Sequence, residues 1–111
     1  MLSILPPIEL EIYVTGNNKK PFIDWLEGIQ DKQTRFRIKE RLDRVALGYF
    51  GDCKLLNARL GEIRLFFGSG YRIYFGIINK KVILLLCAGN KATQKKDIKK
   101  AMKYWEDYLS R

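Results

Sequence analysis

Two arginines lie in the segment "EIRLFFGSGYRIYFG" (62–76), an otherwise apolar stretch around Gly68-Ser69-Gly70. Arg64 and Arg72 are permanent cations with planar donor forks, suited to phosphate oxygens and to the charge of a phosphoryl transition state. With Gly68-Ser69-Gly70 as the turn of a β-hairpin, Phe67 faces Tyr71, Leu65 faces Ile73 and Ile63 faces Phe75. Alternation then puts Glu62, Arg64 and Phe66 on one face with Arg72 and Tyr74. Arg64 and Arg72 come out diagonally close on an open sheet face, beside the rings of Phe66 and Tyr74. Such a face grips a phosphate and stacks its bases. The same pattern also admits a structural arrangement, in which Arg64 pairs with Glu62 or Glu11 and Arg72 is solvated.

A second basic feature is "CAGNKATQKKDIKK" (87–100), an apolar strand running through Gly-Asn into a helix start with Lys91, Thr93, Lys95 and Lys96. Free N–H groups at a helix start attract phosphate, and lysines reinforce the effect. The expected strand pairing puts Cys87 beside Arg72 and brings Lys91 to the arginine end of the sheet. Lys95, Lys96 and Lys99 suit an ordinary solvated helix face better than a phosphate site, whereas Lys91 does not.

Composition narrows the chemistry. The 111 residues contain no histidine, which removes His-based triads, His metal ligands and the usual acid–base pair. Cys53 and Cys87 are far apart and form no zinc constellation, so no metal is expected. The glycine-rich phosphate-loop patterns are also missing, so no nucleotide or other cofactor is expected. Lys and Arg outnumber Asp and Glu by 21 to 12, a formal charge of +9 that favours a polyanionic partner. No apolar run approaches the ~20 residues of a membrane span, and no secretory signal is evident. A cytoplasmic location with free thiols is the expectation.

The elements that must position these groups follow from periodicity. Residues 8–14 alternate as a strand. Pro21 opens a short helix with Phe22, Trp25, Leu26 and Ile29 on one face. Asp31 caps a second helix, in which Ile38, Leu42 and Val45 face inward and Gly48 gives the stop. "CKLLNARL" (53–60) is extended but weakly patterned. Three strands follow as an antiparallel meander, with Asn79-Lys80 as the second turn. Thr93 then caps a final helix carrying Ile98, Ala101, Met102, Trp105 and Leu109 inward. The order β-α-α-β-β-β-β-α predicts one α+β domain over 1–111.

Taken together, "GEIRLFFGSGYRIYFG" and "VILLLCAGNKATQKKDIKKAMKYW" resemble the RelE/ParE superfamily of bacterial toxins, in its HigB-like, addiction-module-killer branch. The resemblance spans nearly the whole chain and is densest from Gly61 to Trp105. It implies a RelE-like fold: an N-terminal strand and helical hairpin packed on an antiparallel sheet, with a C-terminal helix. It implies the toxin of a type II toxin–antitoxin pair, partnered by a helix-turn-helix, HigA-like antitoxin and acting on mRNA at the ribosome. Relatives of the mRNA-interferase kind cut without a metal, by attack of a ribose 2′-OH on the adjacent phosphate. Others on the same fold poison DNA gyrase and cut no RNA.

By this resemblance Arg72 holds the scissile phosphate, Arg64 falls where relatives carry a functional lysine, and Lys91 falls near a basic residue at the end of the last strand. The tyrosine or histidine that often acts near the start of the final helix has no counterpart in "TQKKDI". Arg64 stays protonated and is a poor base. Lys91, among neighbouring cations, is the candidate for that role, with Glu62 as the alternative. Phe66, Tyr74, Lys54, Arg59 and Lys95 complete the expected RNA-binding set.

Overall fold

A computed structural model describes residues 4–111 as an α+β fold of five strands and three α-helices. Strand β1 spans Glu9–Ile12, helix α1 Pro21–Glu27, helix α2 Lys32–Ala46, and strand β2 Cys53–Leu55. Strands β3, β4 and β5 span Leu60–Leu65, Tyr71–Asn79 and Val82–Asn90. A 3-10 turn at Lys91–Thr93 leads into helix α3, Gln94–Leu109. Among the described residues no helix is long and apolar enough to cross a membrane.

Local signals explain most boundaries. Pro21 occupies the first turn of α1, where its missing N–H costs nothing. The Asp31 carboxylate accepts from the Gln33 N–H and the Thr34 hydroxyl, which caps α2. The start of α3 differs from expectation. Asn90, not Thr93, is the capping side chain: it accepts from the Thr93 N–H while Thr93 Oγ1 accepts from the Asn90 N–H, a reciprocal capping box around the 3-10 turn.

The sheet order is β1-β5-β4-β3-β2. Strands β2 to β5 form the antiparallel meander, but β1 runs parallel to β5, so the sheet is mixed rather than antiparallel. Strand β5 is apolar almost throughout, and a neighbour on each edge satisfies its backbone on both sides.

Two apolar clusters lie on opposite sides of the sheet. On one side Phe22, Leu26, Ile38, Leu42 and Val45 of the helical hairpin pack against Ile63, Leu65, Ile73, Phe75, Ile83 and Leu85. On the other, Ala101 and Trp105 of α3 pack against Leu60, Tyr74, Leu84, Leu86 and Cys87. Leu86 is an extra residue in β5 between the pairs Tyr74–Cys87 and Phe75–Leu85, a bulge that turns Leu86 and Cys87 to the same side. Helix α3 therefore roofs part of the face expected to be open. The two thiols are free and sit in opposite clusters, with Cys53 against the first and Cys87 within the second.

Candidate functional site

The β3–β4 register places the two arginines directly opposite each other: Arg64 pairs with Arg72, Ile63 with Ile73 and Leu65 with Tyr71. This is two residues away from the expected register, because the connection is a five-residue loop, 66–70, and not the three-residue Gly68-Ser69-Gly70 turn. Gly68 and Gly70 do adopt positive φ, as a turn requires. Phe67, however, leaves the ladder to lie beneath the Arg37 guanidinium, 3.8 Å from its ring centroid, and edge-on to Tyr71. A shift of two preserves face parity, so Arg64 and Arg72 still share a face.

Like charges directly opposite in a sheet repel, and a third residue resolves the conflict. Glu62 is fully buried at 0% exposure, and its carboxylate takes four donors. Arg64 Nε and Arg72 Nη1 donate to Oε1 at 3.2 and 3.3 Å. Tyr74 OH and Gln94 Nε2 donate to Oε2, each at 3.0 Å. A carboxylate offers about four lone-pair sites, so Glu62 is saturated. Glu62, Arg64 and Arg72 by themselves sum to one net positive charge, before the nearby Asp97 carboxylate is counted. The cluster's side chains are graded outward, with Glu62 at 0%, Arg72 at 12% and Arg64 at 28% exposure. Arg72 Nε is buried and makes no hydrogen bond within the chain.

Helix α3 closes one side of the cluster. Gln94, its first residue, reaches across to Glu62. Asp97, one turn further along, is buried, accepts from the Thr93 hydroxyl and occupies the space that a side chain at Gly89 would fill. Gly89 is the β5 partner of Arg72, so only glycine there leaves room for this carboxylate beside the site. Cys87, expected opposite Arg72, pairs with Tyr74 instead, because the β4–β5 turn is Lys80-Lys81 and not Asn79-Lys80. Burial, followed by the neighbouring Asp97, pushes the Cys87 thiol up to about 12.

Three exposed lysines lie on elements next to the cluster. Lys54 is exposed on edge strand β2, paired with Glu62 and so on the arginine face. Lys91 is exposed at the head of the 3-10 turn, and its N–H approaches the Ser69 carbonyl at 3.5 Å. Lys95 is exposed beside Gln94.

Three other expected site residues have different roles. Tyr74 is no stacking platform: it is 0% exposed beneath α3 with its hydroxyl on Glu62. Burial first, then the Glu62 charge, raises its pKa strongly, so the phenol stays a proton donor. Arg59 donates Nε and Nη2 to the carbonyls of Ile77 and Ile78, at 3.0 and 2.6 Å, and lies over Trp105, away from the arginine pair. Phe66 is 77% exposed, but in the hairpin loop, lining a cleft against α2 rather than the arginine face. Glu62, the alternative base, lies fully buried with both oxygens engaged by the two arginines, Tyr74 and Gln94. Its effect is to hold both guanidiniums at one place. Gln94 and Asp97 were not expected; Gln94 belongs to the "KATQ" stretch of the resemblance, but its reach to Glu62 depends on where α3 crosses the sheet.

Over 80 residues the chain is 40% identical to an uncharacterized protein of Haemophilus influenzae, covering 72% of this chain and 81% of that one. The two chains belong to one family. No family model matches the chain.

Proposed function

We propose that this protein is the toxin of a type II toxin–antitoxin pair on a RelE-like fold, an endoribonuclease that cleaves mRNA at the ribosome without a metal. The observation that carries the reading is the facing arginine pair fixed by one buried carboxylate that two arginines share, with exposed Lys54, Lys91 and Lys95 on the neighbouring elements. A purely structural ion pair needs one arginine. The second, half-neutralised and partly exposed, is suited to an external anion.

In this reading Arg64 and Arg72 hold the non-bridging oxygens of the scissile phosphate. The ribose 2′-oxygen forms a bond to phosphorus and the bond to the 5′-oxygen breaks, leaving a 2′,3′-cyclic phosphate and a 5′-hydroxyl. The guanidiniums stabilise the extra negative charge of the pentacoordinate transition state. Two protons must move, one off the 2′-OH and one onto the leaving 5′-oxygen. With Glu62 saturated and Tyr74 covered, Lys91 is the group left at the border for proton transfer. The antitoxin of the pair is expected to be a helix-turn-helix, HigA-like protein, with an acidic segment suited to the same positive surface.

One observation favours a second reading, a ParE-like poison that binds DNA gyrase and cuts no RNA: the one carboxylate between the arginines is already engaged by four donors, and the chain has no histidine to serve as a base in its place. Induction of wild type beside Arg72→Ala and Arg72→Lys, with mapping of mRNA 5′ ends, separates the two. New cuts within messages that vanish in both variants support the nuclease; the lysine variant fails because a point charge does not reproduce the guanidinium fork. Intact message with gyrase-linked DNA breaks would establish the second reading.

A further inference from the structure

The hairpin loop carries an aromatic ring that neither core nor ion-pair cluster uses. Phe67 turns inward under Arg37, which leaves the adjacent Phe66 facing outward at 77% exposure. Across from it α2 presents Arg37, Arg41 and Arg44, at i, i+4 and i+7 on one helix face. Between them lies a cleft of 390 Å³, lined also by Glu40 and Leu65.

The three arginines are not equivalent. Arg41 is committed to backbone: it donates to the carbonyls of Phe50, Asp52 and Arg64. Its bond to the Arg64 carbonyl, 2.9 Å from Nη1, ties the cleft wall to the strand that carries the main site. Arg37 spends its face on Phe67 and keeps its edge N–H groups, and Arg44 is exposed. Among the described residues neither forms an ion pair.

We propose that this cleft is a second single-stranded RNA subsite, taking one nucleotide with its base on Phe66 and its phosphate against Arg37 and Arg44. The inference rests on the RNA reading of the arginine pair and extends it to where the strand runs next. The hairpin tip lies between the two places: Lys91 meets its Ser69 carbonyl on one side, and Phe66 projects from its start. The cleft lies on the α2 side of the sheet and the Arg64–Arg72 pair on the α3 side, so a strand that joins them rounds this tip.

Glu40 decides among ligands. A carboxylate in the lining repels a bare anion or an acidic peptide, but accepts from the exocyclic amine of a base such as adenine. An exposed ring beside guanidiniums is the arrangement that stacks bases while following the backbone.

The test uses fluorescein-labelled 2′-O-methyl oligoadenylates of increasing length, which bind without being cut, followed by anisotropy with the full chain. Affinity should step up by roughly tenfold or more at the length that first spans both places. Phe66→Ala should remove the step and Phe66→Trp should restore it. Arg44→Ala should lower the salt slope of the longer oligomers by about one. An unaltered step in Phe66→Ala overturns the proposal, even where Arg72→Ala still abolishes cleavage and so upholds the main site. A Phe66-dependent affinity for an acidic peptide in place of RNA overturns it as well. Wild-type protein that binds no oligomer of any length overturns the subsite, while the cleavage reading stands or falls on the mapped message ends.

Discussion

Replacing Glu62 by Gln removes one charge and almost no volume, yet it should be among the most damaging single changes in this chain. The carboxylate accepts four hydrogen bonds at 0% exposure. An amide offers one oxygen with two acceptor sites, and its NH2 meets donors in either orientation. At least two of the four donors then lose their partner, and Arg64 and Arg72 face each other with nothing between them. Breaking a buried ion pair by removing one partner costs about 3–5 kcal/mol. Arg64, 28% exposed, can swing toward solvent, which puts the expectation near the low end, at about 3 kcal/mol. For a domain of this size that is roughly a 12 °C fall in melting temperature. Thermal unfolding followed by circular dichroism at neutral pH and low salt reads it directly. Adding Arg64→Met to Glu62→Gln relieves the facing pair, so the double variant should be more stable than additivity allows by about 1 kcal/mol. A Glu62→Gln protein melting within about 2 °C of wild type, or strictly additive behaviour, would refute the view of Glu62 as the hub.

Two other predictions concern contacts away from the cluster. Asp107 accepts from the Tyr13 hydroxyl and pairs with Arg111, and these hold its carboxyl below the ordinary 3.8. A depressed carboxyl contributes stability that is present above its unfolded value and lost as pH falls through the folded one. The melting gap between wild type and Tyr13→Phe should therefore be open at pH 7 and narrow on acidification below about pH 4; a constant gap would count against the contact. At the alkaline end burial, with Asp107 beside it, pushes the Tyr13 phenol up to about 12, so its contribution is complete below pH 10 and fades as pH rises through 12. Arg59→Ala should cost about 1 kcal/mol in a urea titration, by freeing the Ile77 and Ile78 carbonyls. It should lower RNA affinity no more than loss of a remote charge does. An RNA defect as large as that of Arg72→Ala would return Arg59 to the binding surface.

Much of the fold was legible because its signals are local. The Asp31 cap, Pro21 at the start of α1, the Ile38, Leu42 and Val45 stripe and the glycines of the hairpin each act within a few residues. Registers were harder. In the β3–β4 hairpin Phe67 chooses Arg37, thirty residues back, over its strand partner, and no local pattern contains that choice. The parallel pairing of β1 with β5 is long-range in the same way. Site residues divided on the same line. Arg64 and Arg72 were visible as charges in an apolar hairpin, and face parity survives a two-residue slip. Periodicity puts Tyr74 on the arginine face, but it shows only which face a side chain takes and not that α3 covers it.

The amino-acid sequence by itself determined the α+β element order, the alternation that puts Arg64 and Arg72 on one side of a strand pair, and the basic surface, since each depends on composition or on spacing along one element. Tertiary structure decided what those arginines meet. Only the crossing of α3 brings Gln94 to Glu62, seats Asp97 over Gly89 and covers Tyr74. Only the packing of α2 on the hairpin turns Phe66 outward beside Arg44. The physical reason is the same in each case: a buried carboxylate shared by four donors, or a ring left over when its neighbour packs, is a property of side chains that converge from different elements.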